Sequence, residues 1–334
     1  MQQEWNRRGF LRFAGAAGLL GVGAPAALAG CSRLRPAPET HGPETVTVTH
    51  LFGNTVITGP PERVVSAGYT EQDDLLAVGV VPIAVTNWFG DEPFAIWPWA
   101  QTKLGTAQPE VLSLDNGIQV GRIAKLEPDL IVATNAGLDI DTYHRLSAIA
   151  PTIAQSGADA FFEPWKDQAT AIGQAVFATE QMKSLIADVD AEFAAIEEQN
   201  PHWRGKSVLL MRGRLWQDTI VATAAGWQTD FLNQMGLEIC DAIKPYVTGQ
   251  HATIPRGHIK AVLDSADVVI WATESPEEQQ AILADPEVAA TQATARRRHI
   301  FTPKTLAGAI AFASPLSYPV VADNLPQLIG KILD

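Results

Sequence analysis

The stretch TEQMKSLIADVDAEFAAIEE, residues 179–198, decides how this chain is organised. Met182, Leu185, Ile186, Val189, Phe193 and Ile196 recur at intervals of three and four, the spacing of one helix face. No Pro or Gly interrupts them. A helix of this length reaches ~30 Å at ~1.5 Å per residue, enough to cross from one structural unit to another. Just upstream, Ile172 and Val176 carry the same spacing through Pro164–Phe177 and predict a shorter helix there. Residues 164–200 thus read as linking helices with almost no strand signal.

Working outward, both flanks have a different texture. Towards the N-terminus, Thr45–Thr58 alternates Val and Thr around Gly53-Asn54, which predicts a hairpin. Short apolar strands at Arg63–Ala67, Val80–Thr86 and Asp129–Thr134 then alternate with helices at Glu71–Val78 and Ile118–Leu126. Towards the C-terminus, strands at Ser207–Met211 and Asp267–Thr273 alternate with helices at Gln228–Met235 and Ile259–Leu263. Such alternation implies βαβ units and a mainly parallel sheet. The expected fold is α/β: two Rossmann-like lobes, residues 45–163 and 201–334, joined by a long rigid α-helix. Glu71, Asp73 and Asp74 open a predicted helix, where the dipole favours acids, and need no catalytic role.

The first residues are set apart from this fold. Arg7-Arg8 followed by Phe10-Leu11 and an apolar run to Gly30 matches a twin-arginine export signal over residues 1–30. Leu28-Ala29-Gly30-Cys31 resembles a lipobox, which makes Cys31 the expected lipidation site and residues 31–44 a lipid-anchored tether. Pro25 and the Gly/Ala content of the run argue against a spanning helix. Removing residues 1–30 takes one acid and three bases from 37 acids and 24 bases, leaving a net charge of about −15. An acidic body of this kind argues against nucleic acid and against electrostatic adhesion to anionic lipid. Acyl chains on Cys31 would therefore hold the protein at the outer face of the cytoplasmic membrane. Cys240 is then the one other cysteine, so no internal disulfide is available.

Several segments resemble the iron-siderophore substrate-binding lipoproteins of bacterial ABC importers, most closely the actinobacterial and mycobacterial members. These are Pro61–Ser66 leading into Asp74–Pro82, Ile123–Ile131, Leu146–Thr152 and Phe312–Pro319, in the family's order and spacing. The resemblance covers most of the chain after the tether. It implies the helical-backbone, class III periplasmic-binding-protein fold, a monomer without intrinsic cofactor, and a ferric siderophore held between two lobes. It also implies delivery to an ABC permease. One departure bears on that delivery. The positions where members usually carry docking acids fall at Gly121 and near Gly257 or His258, with Asp115 and Glu127 flanking the first. An adaptor that does not dock on a permease is the alternative this departure raises.

In two-lobe α/β proteins, ligands sit at the ends of strands. That rule selects Tyr69, Trp88 and Phe89 in the first lobe and Met211, Arg212, Arg214 and Trp216 in the second. Arg212 and Arg214 suit the anionic oxygens of a ferric siderophore, since an acidic body needs local cations for such a ligand; two solvated loop arginines are the ordinary alternative. The aromatic-rich loop Trp88–Trp99 lacks helix or strand periodicity and reads as a rim for a large ligand, with Trp88 as direct contact. Tyr246 and His251 lie in the stretch Lys244–His251, which has a loop's composition. Haem is the chemical rival, and Tyr69, Met211, Tyr246 and His251 are the candidate axial ligands. No nucleophile elbow, H-E-x-x-H helix or phosphate loop is present after the signal, so the chain reads as a capture protein and not an enzyme.

Overall fold

The computed structural model describes residues 44–334 apart from 160, 217 and 218. The export signal, Cys31 and most of the tether lie outside the described residues.

Strands β1 (Thr45–His50) and β2 (Gly53–Thr58) form the expected hairpin, with His50 opposite Gly53. The turn falls on Leu51-Phe52, earlier than Gly53-Asn54. The reason is local: the Phe52 amide donates to His50 Nδ1 at 3.2 Å, and Gly53 takes the positive φ of 127°.

The first sheet is parallel throughout. It comprises β3 (Val64–Ser66), β4 (Ala84–Thr86), β5 (Glu110–Leu112), β6 (Leu130–Ala133) and β7 (Thr152–Ala154) in the order β5-β4-β3-β6-β7. The direction of winding reverses between β3 and β6, and ligand crevices open at such a point, beyond the carboxyl ends of the strands. Tyr69 follows β3 there.

The second sheet has a parallel core and an antiparallel extension. Its strands are β8 (Lys206–Arg212), β9 (Thr219–Thr223), β10 (Leu237–Ile239), β11 (Val247–Thr248), β12 (His251–Pro255), β13 (Val268–Ala272) and β14 (His299–Phe301). β10, β8, β13 and β14 run parallel, whereas the last turn of β8 pairs with β9 in antiparallel fashion through Met211 and Ala222. β9, β12 and β11 continue that edge. The stretch Lys244–His251 is therefore a 3-10 turn and a short hairpin, not a plain loop.

The linking helices span Trp165–Ala175 and Thr179–Gln199. Ile172 and Ala175 of the shorter one pack against Val64, Leu130 and Val132 of the first sheet. Met182, Val189, Phe193 and Ile196 of the longer one pack against Val208, Leu210 and Ile270 of the second. Trp165 and Ala169, at the start of the shorter helix, also enter the second core, so that helix bridges the two lobes while the longer one lies on the second. Among the described residues no helix is long and apolar enough to cross a membrane.

A tight seam joins the lobes. The Lys304–Phe312 helix presents Gly308 to the Trp97 ring, where an added Cβ would come within 2.5 Å of the indole. Trp97 is buried and stacks on Trp99 at 5.0 Å, and Phe312 packs edge-on against both. Lys304 reaches back to Glu92 at 2.8 Å and to the Gly90 carbonyl. The aromatic loop therefore divides its rings: Trp97 and Trp99 seal the lobes together, and the rim is not formed by the whole segment.

Beside this seam, Glu71, Asp73 and Asp74 lie in the first turn of their helix as expected, and all three are fully buried. Their helix is pressed between the first sheet and the linking helices; neutral donors meet Glu71 and one oxygen each of Asp73 and Asp74, while Asp73 Oδ1 and Asp74 Oδ1 have no hydrogen-bond partner among the described residues. Glu71 accepts from the amides of Gly68 and Asn135 at 2.8 and 2.9 Å. Asp73 accepts from Trp99 Nε1 at 2.7 Å, and Asp74 from Gln168 at 2.7 Å.

Candidate ligand-binding site

The carboxyl ends of the two sheets meet over a cavity of about 550 Å³. That volume is within the usual range for a small-molecule site, ~300–1,000 Å³. Its two walls differ in chemistry because different lobes supply them.

The first lobe contributes rings. Trp88 and Phe89, just beyond β4, line the cavity together with Phe162. Trp88 lies 4.9 Å from Phe162 and 5.5 Å from Tyr69, centroid to centroid, and Tyr69 stacks in turn on Phe161 at 5.6 Å. Tyr69 stands behind this wall and is not itself among the lining residues. Burial, with the Asp115 charge, raises its phenol further above its ordinary value, so it stays protonated. Phe162 has φ 59°, a conformation that costs a non-glycine residue about 1–3 kcal/mol and tends to occur at ligand clamps. Asn135 holds it there, accepting from the Phe162 amide at 2.9 Å.

The second lobe contributes polar groups. Arg212 ends β8, Arg214 follows it, and both line the cavity. Gly213 separates them because the β8 end runs so close to Ala272 and Thr273 that no Cβ would fit. The Arg212 guanidinium donates to His251 Nε2 at 2.7 Å, so the imidazole is neutral with its proton on Nδ1. Burial, reinforced by the Arg212 charge, lowers the His251 pKa and maintains that state. Arg214 is paired with Glu278 at 3.0 Å. Glu274, after β13, also lines the cavity; burial and the Glu278 charge raise its pKa. Gln228, Gln250 and Thr223 add neutral hydrogen-bonding groups. Ala307, Ile310 and Ala311 of the seam helix form an apolar floor.

Of the residues selected from sequence, Trp88, Phe89, Met211, Arg212, Arg214 and His251 come together here. Trp216 does not: it sits at the tip of the β8–β9 hairpin, 57% exposed and outside the lining. Tyr246 packs beside His258 on the second lobe's own core and also lies outside it. Of the four candidate haem ligands, Met211 and His251 line the cavity, with His251 Nε2 already engaged by Arg212, whereas Tyr69 stands behind the wall and Tyr246 lies outside it. Among the described residues, no group of three or more His, Cys, Asp or Glu side chains is arranged to hold a metal ion. Phe162, Glu274 and Trp227 were not anticipated. Glu274 was within reach, because it directly follows a predicted strand. Phe161-Phe162 is a pair of rings in a Gly/Asp-containing loop, a weaker signal of the same kind. Gly121 and Gly257 are both exposed, each near the start of a short helix.

Two α/β lobes, joined by a pair of linking helices and facing each other across a ligand-sized cleft, define a two-lobed binding protein of the class III type. The chain belongs to the periplasmic binding protein family, whose profile matches residues 64–306. A solved periplasmic solute binding protein from Mycobacterium smegmatis is 62% identical, over 87% of this chain and 99% of that one, with a TM-score of 0.84. PiaA from Streptococcus pneumoniae, solved in complex with ferrichrome, is 21% identical over 86% of this chain and 98% of its own; its TM-score of 0.70 speaks to the fold. "Probable siderophore-binding lipoprotein YfiY" of Bacillus subtilis is 30% identical over 177 residues, 52% of this chain and 51% of that protein. The chain therefore spans about half the length of the curated relatives it matches.

Proposed function

We propose that this protein captures a ferric siderophore in the cleft, outside the cytoplasmic membrane, for an ABC-type importer. The observation that carries this reading is the division of the cleft: an aromatic wall faces two arginines across space for one chelate-sized ligand. A ferric chelate has an apolar or aryl exterior and a cluster of polarised oxygens at its metal, and the two walls complement these two aspects. The names of several relatives, siderophore-binding or iron-hydroxamate-binding, support it. The structure modifies the charge argument. Arg214 is paired with Glu278 and Glu274 lines the cleft, so the site is close to charge balance and Arg212 is its principal cation.

Membrane attachment through Cys31 and export by the twin-arginine route complete the proposal, as does delivery to a permease. The deciding experiment is a tryptophan-quenching titration with a ferric siderophore and with haem in parallel. Trp88 and Trp227 border the cleft, so a bound iron chelate quenches strongly. Saturable quenching by the siderophore supports the assignment. A saturable response to haem alone, or to neither, overturns it.

A further inference from the structure

Two cations meet two carboxylates around the cleft. Arg212, Arg214 and Glu274 are the charged side chains of its lining, and Glu278 stands behind Arg214 with a second carboxylate. Glu278 is anchored on two sides, by Arg214 at 3.0 Å and by the Glu274 amide, which donates to it at 2.6 Å. The Glu274 carboxylate, in contrast, makes no hydrogen bond or ion pair among the described residues. Its charge is not cancelled by direct contact, so a ligand entering the cleft meets it. Lys304, close enough to act on Glu274, is itself held by Glu92 at 2.8 Å.

The site already resists added negative charge. Burial first, then Glu278 and Asp91, raise the Glu274 pKa, although Arg214 and Lys304 act against them. The acidic body adds no long-range attraction for an anion. What the cleft offers instead is hydrogen-bond donors: the Arg212 guanidinium, the Gln228 amide, and Trp227, whose buried Nε1 has no partner among the described residues.

Acceptor oxygens on a neutral body match this set. Three singly charged hydroxamates cancel the charge of a ferric ion and keep polarised oxygens around it. Three doubly charged catecholates leave a trianion.

We infer that the cleft is charge-selective: it takes ferric chelates of zero net charge, of the tris-hydroxamate kind, and rejects tris-catecholate trianions, with Glu274 as the discriminating residue. This inference rests on the capture reading above and names the ligand class for it.

Quenching titrations of the full-length protein in detergent test it, with a hexadentate ferric tris-hydroxamate and a hexadentate ferric tris-catecholate as probes. The hydroxamate should bind saturably and the catecholate about tenfold more weakly or worse. Glu274→Gln keeps the shape and removes the charge, and it should narrow that ratio by about threefold or more. In the wild type, added salt should strengthen the catecholate, because it screens repulsion. Binding of neither probe overturns the capture reading and this inference with it. A catecholate bound as tightly as the hydroxamate, or more tightly, leaves capture standing and overturns the charge selection alone. So does an unchanged ratio in the folded variant. Weakening of the catecholate by salt overturns it without recourse to any variant.

Discussion

Asp73 and Ser314, 241 residues apart, are joined by a hydrogen bond of 2.7 Å from the serine hydroxyl to the carboxylate. The same carboxylate oxygen accepts from Trp99 Nε1 at 2.7 Å. Asp73 belongs to the first lobe, whereas Ser314 follows the helix that floors the cleft and in turn receives the amides of Leu316 and Ser317. One buried acid thus fixes the turn that seats the second lobe on the first.

Asp73→Ala should therefore strand two buried donors at once. At roughly 1–3 kcal/mol for each unsatisfied group, the expected loss is about 2–6 kcal/mol, read from urea unfolding at pH 7. A loss below about 0.5 kcal/mol would show that the seam does not depend on this contact.

The acids beside the seam should make stability pH-dependent in an unusual direction. Burial pushes Glu71 up to about 7 and Asp73 up to about 6, and burial raises Asp74 well above its ordinary value. Between the unfolded carboxyl range near pH 4 and these folded values, the native state holds more protons than the unfolded one, so these groups lower stability as pH rises. His50, His251 and His299, lowered by burial, act in the opposite sense. The informative quantity is a difference between proteins: Asp74→Asn should gain stability relative to wild type between pH 4.5 and 7.5. A constant or shrinking difference in melting temperature would contradict the burial argument.

In the cleft, the two arginines should not be equivalent. Arg212→Ala should weaken a ferric chelate by about tenfold or more, since it removes the principal cation. Arg214→Ala should cost less, because Glu278 already competes for that guanidinium. Parallel quenching titrations give the order, and equal losses would mean that Arg214 leaves Glu278 when ligand arrives.

Cys31→Ala should shift the protein from the membrane fraction to the soluble one. Cell fractionation with immunodetection measures this, and retention at the membrane would require another anchor.

Much of the scaffold was legible because its signals are local. The spacing from Met182 to Ile196 marked the linking helix, and the apolar runs at Val64, Leu130, Val208 and Val268 marked central strands. The β9–β12 extension was not legible. Of its strands only β9, with its β-branched residues, has a strand's composition; β11 and β12 are short and set in a loop-like stretch, and the extension exists because β12 pairs with β9 across the intervening helix. The same distinction separates the aromatic residues. Trp88 and Trp97 are equally apolar residues of one loop and both touch Phe312, but only the close approach of Gly308 determines that Trp97 is seam while Trp88 is wall.

By itself the sequence determined the α/β class, the linking helix, and the strand ends after which ligand-facing residues should come. Periodicity and strand-end position are properties of a few consecutive residues, and they survive without tertiary context. Only the tertiary structure decided that Arg212 leans on His251, that Trp216 is turned out to solvent, and that three helix-opening acids are buried with no ion-pair partner among the described residues. Those outcomes depend on which distant surfaces meet, and burial, hydrogen-bond partners and local charge balance arise only where they do.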